Sequence, residues 1–213
     1  MPRSVSLRVA ATVDILSNGR FELGLGAGAF WDGIEAMGGP RRSPKESVDA
    51  LTEAIEIIRL AWSGQPSIKY EGEHYVISGL KPGPEPKHAI QIWLGAYGPR
   101  MVRLTGRVAD GWLPSVPRLP LDEIPKRQEA IDEAAKQADR DPASIRRVAN
   151  VNGQITDGSS NGFLNGPASQ WVDDLRTLSD RYRFDTFIFW GDGDPDDQLR
   201  RFAEDVVPAA KSG

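Results

Sequence analysis

The 213-residue sequence contains no cysteine, which excludes disulfides, thiol nucleophiles and thiolate-bound metals. Histidine is nearly as scarce: only His74 and His88 occur, too few for a histidine-rich metal centre. No apolar run approaches the roughly 18 residues that a membrane span requires. The opening residues, Met1-Pro2-Arg3-Ser4-Val5-Ser6-Leu7, lack the apolar core of a secretory signal. A cytoplasmic address is expected by default. An excess of positive charge is also missing. The 26 Lys and Arg are set against 30 Asp and Glu, for a well-mixed net charge of −4, so no nucleic-acid surface is expected. What is present is enough for one sizeable core: 39% of residues are hydrophobic, and a single α/β domain can run to about 250 residues. The 22 glycines and 16 prolines fall between periodic segments, and no linker divides the chain.

Val5, Val9, Val13 and Leu16 form an apolar stripe of helical period, closed by Ser17-Asn18-Gly19 as a helix stop. Residues 21–26 read as a strand running into glycines. Ser43 and Pro44 then open a helix whose buried face is Val48, Leu51, Ile55, Ile58 and Trp62. Residues 67–78 alternate around Glu71-Gly72 as a hairpin excursion. Further strands are expected at 90–95, 111–114, 147–155 and 184–190. Helices are expected at 99–107, 122–138, 168–181 and 196–210. Strands alternating with helices imply a parallel sheet with right-handed crossovers, either open or part of a closed barrel.

In such folds ligands sit at the carboxyl ends of the strands. Two glycine-rich loops occupy those positions, Gly24-Leu25-Gly26-Ala27-Gly28 and Gly95-Ala96-Tyr97-Gly98-Pro99-Arg100-Met101. In the second, glycine permits close approach of an anion, and Pro99 needs no partner for its missing N–H in a first helical turn. The amides of Gly98, Arg100 and Met101, with the helix dipole, suit a phosphate. Arg100 adds charge or points to solvent. The competing reading is that these glycines only make tight turns. No G-x-G-x-x-G opens a helix after the first strand, which disfavours a dinucleotide fingerprint. His74, in the hairpin, and His88, in a proline-flanked loop, read as surface residues rather than bases. Asp192-Gly193-Asp194 reads as a turn capping the last helix rather than a metal loop. Trp31 and Trp112, just past strand ends, are the tryptophans expected to line a pocket.

Leu16 through Gly28 resembles the fourth strand region of the bacterial luciferase-like oxidoreductases. Trp93 to Arg100, with Leu104, Gly106 and Ala109-Asp110-Gly111-Trp112, resembles their fifth and sixth strand region. Gly166-Pro167, Gln170-Trp171 and Phe184-Asp185-Thr186-Phe187 resemble the last helix–strand pair. The resemblance implies a (β/α)8 barrel that works with FMN or the deazaflavin coenzyme F420. The Gly95–Met101 loop and the 109–112 segment resemble the F420-using branch related to methylenetetrahydromethanopterin reductases, where such loop amides hold the cofactor phosphate. Ala27 stands where light-emitting luciferases carry an arginine, which favours F420, with FMN as the alternative. Gly26, Ala27, Gly28, Gly95, Ala96, Tyr97, Gly98, Pro99, Arg100 and Met101 are therefore the expected cofactor-binding residues. The chain starts in what resembles the third barrel helix, so residues 1–213 are expected to be one domain lacking the first three strands. A complete barrel needs about 250 residues. The missing strands supply most candidate proton donors of this family, and no catalytic residue is assigned. The expected activity is oxidoreduction of a small organic substrate, by hydride transfer or by monooxygenation. The alternatives are a non-catalytic cofactor-binding protein or a subunit that needs a partner. Uncovered strand edges point to a homo-oligomer, or to residues 1–16 folding across the gap.

Overall fold

The computed structural model describes residues 3–212; the side chain of Val5 lies outside the described residues. The anticipated parallel α/β wall is present. Strands β1 (Leu23–Leu25), β4 (Ile92–Leu94), β5 (Gly111–Trp112), β6 (Arg146–Ile155) and β8 (Thr186–Gly191) lie side by side in sequential order, all parallel. A two-residue strand not anticipated from the sequence, β7 (Asn165–Gly166), pairs with the far end of β6. Between β1 and β4 the chain makes an antiparallel hairpin of β2 (Ile68–Glu71) and β3 (Val76–Leu80), slightly longer than expected. The helices are α1 (Arg3–Leu16), α2 (Trp31–Ala36), α3 (Pro44–Ala61), α4 (Pro99–Val108), α5 (Ile124–Lys136), α6 (Ala168–Asp180), α7 (Pro195–Arg201) and, after a π-helical turn, α8 (Val207–Lys211).

Local chemistry accounts for most helix boundaries. Ser43 accepts from the Glu46 amide and Glu46 accepts from the Ser43 amide (2.8 Å). This reciprocal cap, with Pro44 in the first turn, starts α3. Asp194 accepts from the Asp197 amide (2.8 Å) and caps α7. At the end of α1, Asn18 and Gly19 take positive φ (61° and 78°), and Gly19 donates to the Asp14 carbonyl (2.9 Å).

Side-chain alternation divides the wall into two faces. Ile92, Leu94, Trp112, Ala149, Val151 and Ile155 are buried in the main core, and Phe187 and Phe189 pack against it. Each fully buried large apolar side chain contributes about 1.5–3 kcal/mol. Arg147 shares this face and is buried as an ion. It reaches Asp132 of α5 (2.5 Å), Gln128 Oε1 (3.1 Å) and the Ile145 carbonyl (2.7 Å). Burial pulls its pKa below the usual arginine range, while Asp132 pushes it back up. The buried pair clamps α5 to β6.

Three expectations are corrected. The stripe Val9, Val13 and Leu16 lies on the exposed side of α1, whereas Leu7, Ala10, Ala11 and Asp14 face inward. A carboxylate occupies the buried side because its hydrogen bonds are waiting there. Trp112 lines no pocket: it is fully buried, stacks on Phe184 at 5.7 Å and donates from Nε1 to the Ala96 carbonyl (2.9 Å). His88 is not a free surface residue. Its Nδ1 is 2.7 Å from Asp14 Oδ1 and its Nε2 is 3.3 Å from Glu22 Oε1. Among the described residues β1 pairs only with β4, and Trp190 on β8 is 57% exposed. The wall is therefore open at the β1 edge.

Candidate functional site

The two glycine loops meet. A cleft of about 420 Å³ opens at the carboxyl ends of β1 and β4. It is lined by Ala27, Gly28 and Trp31, by Pro44, Lys45, Ser47 and Val48 of the first turns of α3, and by Gly98, Pro99, Arg100 and Met101 of α4. Two helix N-termini therefore converge on one concavity, and each carries roughly half a positive charge. Gly28 has φ 94°, a conformation closed to most side chains, and an added Cβ there would press on Ile34 at 3.1 Å. Gly98 differs. Its φ of −75° and ψ of 154° suit any residue, and a Cβ would meet nothing within 4 Å. Its missing side chain leaves room rather than permitting a turn.

The amides of Gly98, Arg100 and Met101 make no hydrogen bond among the described residues, as the geometry of a helix's first turn dictates. Lys45 lines the cleft and makes no ion pair among the described residues. Arg100 is largely committed elsewhere, donating to Asp49 (2.7 Å) and the Lys45 carbonyl (3.4 Å). No carboxylate lines the cleft. Unbonded amides beside an unpaired Lys45, with no carboxylate in the lining, are surroundings of the kind that suits an anion.

The other anticipated residues support the cleft from behind. Gly95 donates to the Leu25 carbonyl (2.8 Å), so its amide belongs to the sheet. Ala96 is fully buried. The Tyr97 hydroxyl accepts from the Ser115 amide (2.8 Å) and its carbonyl accepts from Arg127 Nε (3.1 Å), which ties the loop to the end of β5 and to α5. Gly26 stands beside the cleft, with open space where a Cβ would be. Lys45, Ser47 and Val48 were missed. Their helix start was readable, but nothing local says that it closes over a loop some fifty residues later.

The histidine lies at the other end of the wall, where His88 precedes β4 and Glu22 precedes β1. Burial lowers the His88 pKa, but hydrogen bonds to Glu22 and Asp14 and their charges outweigh it and raise the pKa overall. Asp14 is fully buried. Burial alone would raise its pKa, yet bonds from the His88 and Lys87 amides and from the imidazole hold it below the usual carboxylate range. This triad fastens α1 to the sheet and is remote from the cleft. Among the described residues no group of three or more His, Asp or Glu is placed to hold a metal ion.

A sequential parallel wall of strand–helix units defines a barrel-type α/β fold, in which ligands sit at the carboxyl ends of the strands. Residues 4–161 match the family model of the luciferase-like monooxygenases, and the chain belongs to that family. It is 38% identical over 160 residues to the phthiodiolone/phenolphthiodiolone dimycocerosates ketoreductase of Mycobacterium bovis, covering 72% of this chain and 39% of that protein. It is 31% identical over 136 residues to the F420-dependent glucose-6-phosphate dehydrogenase of Microbacterium testaceum, covering 64% and 40%. The chain thus spans about two fifths of the length of these curated relatives. Among solved structures, an F420-dependent secondary alcohol dehydrogenase superposes with TM-score 0.84 at 14% identity, covering 98% of this chain and 75% of the other. The coenzyme F420-dependent tetrahydromethanopterin reductase of Methanopyrus kandleri gives 0.79 at 18% identity, covering 98% and 79%. These likenesses place the fold as part of a luciferase-type barrel. Among the described residues no helix is long and apolar enough to cross a membrane.

Proposed function

We propose that this chain binds coenzyme F420, with FMN as the alternative, by its phosphate in the cleft between α3 and α4, and serves oxidoreduction of a small organic substrate. The observation that carries the reading is that Gly98, Arg100 and Met101, whose amides make no hydrogen bond among the described residues, line together with Lys45 a concavity lined by no carboxylate. Relatives in the family include an F420-dependent dehydrogenase and a ketoreductase, which favours hydride transfer. When bound, such a cofactor supplies a ring that accepts or releases hydride. The residues of this chain do the rest. The amides and Lys45 hold the phosphate, Gly26 and Gly98 leave room for it, and Tyr97 and Arg127 keep the loop in place.

A titration with F420 and with FMN, followed by fluorescence, tests the reading. Saturable binding of at least one is expected, weakened by added inorganic phosphate, and absence of both sinks it. The β1 edge and the exposed Val9, Val13 and Leu16 stripe support a second element of the proposal, that the chain associates with another copy of itself. A mass measurement in solution that returns only monomer removes that element. A cytoplasmic address belongs to the same reading.

A further inference from the structure

Asn150 and Asn152 alternate onto the open face of the wall, opposite Ile188 and Trp190 of β8 in the parallel register. Their chain neighbours Ala149 and Val151 are fully buried on the helix side, so the two-residue period of a strand turns the asparagines the other way. Trp190 donates from its indole Nε1 to Asn150 Oδ1 (3.1 Å). That bond settles the orientation of the amide. The oxygen is occupied, and the Nδ2 group keeps its hydrogens without a partner among the described residues. The Asn150 backbone N–H donates to the Pro114 carbonyl (2.9 Å), just past β5, which puts the residue at the carboxyl end of the wall, where the cleft lies.

On β8 the neighbours of this donor are aliphatic and aromatic: Ile188 stands opposite it and Trp190 holds its oxygen. Nearer the other end of the wall, in register with Arg146, Gly111 leaves space filled by the Trp93 ring, 2.4 Å from where its Cβ would be. The arginine on the same face of β6 as Asn150, Arg146, sits at the opposite end of the strand, paired with Asp185 (2.8 Å). Strands spaced about 4.8 Å apart put β6 roughly 10 Å across the wall from β4, enough for a ring system to lie between the phosphate and the asparagines.

We propose that Asn150, oriented by Trp190, holds the carbonyl or hydroxyl oxygen of an uncharged substrate with an apolar frame, and so sets substrate specificity. The proposal rests on the cofactor reading above for the chemistry, though not for the contact itself. A donor that would otherwise stay unpaired selects for an oxygen atom. With Lys45 and the cleft taken by the cofactor phosphate, the described register neighbours of Asn150 on this face, Asn152, Ile188 and Trp190, offer no further cation, which disfavours a phosphorylated substrate whose charge would be stripped of water uncompensated.

The test follows the side-chain amide of Asn150 by NMR in the 15N-labelled chain while cyclohexanone, methylcyclohexane or glucose 6-phosphate is added, with and without F420. Saturable movement of the Asn150 resonance with the ketone alone is expected. Asn150→Asp keeps the shape and the acceptor for Trp190 but removes the donor, and should weaken ketone binding about tenfold while F420 affinity stays within about twofold. Four results each overturn the proposal: no saturable ketone binding, ketone binding that leaves the resonance still, an Asp variant with wild-type ketone affinity, or, with F420 bound in the cleft, glucose 6-phosphate that moves the Asn150 resonance at lower concentration than the ketone. A ketone-dependent shift in a chain that binds no F420 leaves this contact standing and removes only the cofactor reading.

Discussion

Gly98→Val separates a binding loop from a connecting loop. Gly98 has ordinary extended backbone angles, and a Cβ built on it meets nothing within 4 Å, so a β-branched side chain fits the protein without strain. Circular dichroism and the urea midpoint should stay at wild-type values. The space it fills is that in front of the Arg100 and Met101 amides. A phosphate displaced by one methyl group loses one or both of those charge-assisted hydrogen bonds, at about 1.5–3 kcal/mol each, or a weakening of at least about tenfold. Arg100→Ala is the control. Its guanidinium is already engaged by Asp49 at 2.7 Å, so affinity should fall by no more than about threefold. The assay is a fluorescence titration with F420 and FMN at two salt concentrations. Unchanged affinity in a folded Gly98→Val chain would refute the reasoning, because the cleft would then hold nothing in front of those amides.

The Asp14–His88–Glu22 triad makes stability depend on pH. The His88 pKa is raised on folding, so its contribution is full below about 6.5 and is lost as pH rises through the higher folded value. The Asp14 pKa is lowered, so its contribution is present above about 3.9 and is lost as pH falls through the folded value. Urea midpoints measured across pH should therefore fall as the pH rises above about 6.5 and through the folded His88 value in wild type, and His88→Gln should flatten that limb. Asp14→Ala strands the Lys87 and His88 amides and the imidazole, and should cost about 2–4 kcal/mol at neutral pH, read from the same curves. Gly106→Ala should lower the thermal midpoint by several degrees, because a Cβ there would sit 2.3 Å from the Ile131 carbonyl and force α4 away from α5.

Elements with local chemistry were legible in the sequence, and those decided by neighbours were not. Ser43-Pro44, Asn18-Gly19 and Asp194 declare helix ends because each satisfies or permits something within a few residues. The α1 stripe misleads because two faces of that helix carry apolar residues of the same period. The buried one is chosen by Asp14, whose partners lie more than seventy residues away. Trp112 sits in a two-residue strand, where a shift of one position exchanges pocket for core. Helix α2 has only six residues and contains Gly33, too short and too weak for a periodic signal. The cleft was half readable for the same reason. Glycine and proline in its loops announce backbone use, whereas Lys45 and Ser47 become site residues only through long-range packing of α3 on α4.

The incompleteness of the wall affects the two parts of the proposed site unequally. The cleft is assembled from two consecutive strand–helix units, β1 with α3 and β4 with α4, and both are present with their crossover. Its walls are helix first turns, and its floor is the Leu25–Gly95 hydrogen bond of 2.8 Å. None of these needs the barrel to close. The inner face carrying Asn150 and Trp190 is different, because its dryness depends on whatever lies opposite, and Trp190 is more than half exposed. Hydrogen bonds from Asn150 are worth less where water competes for the same donor. Anion binding should therefore be robust in this chain by itself, while substrate binding should strengthen when a second copy or a longer polypeptide covers the interior. The ratio of the two affinities, measured across a range of protein concentration, reads that dependence directly. A ratio that stays constant while the mass in solution rises would show that self-association covers some other surface.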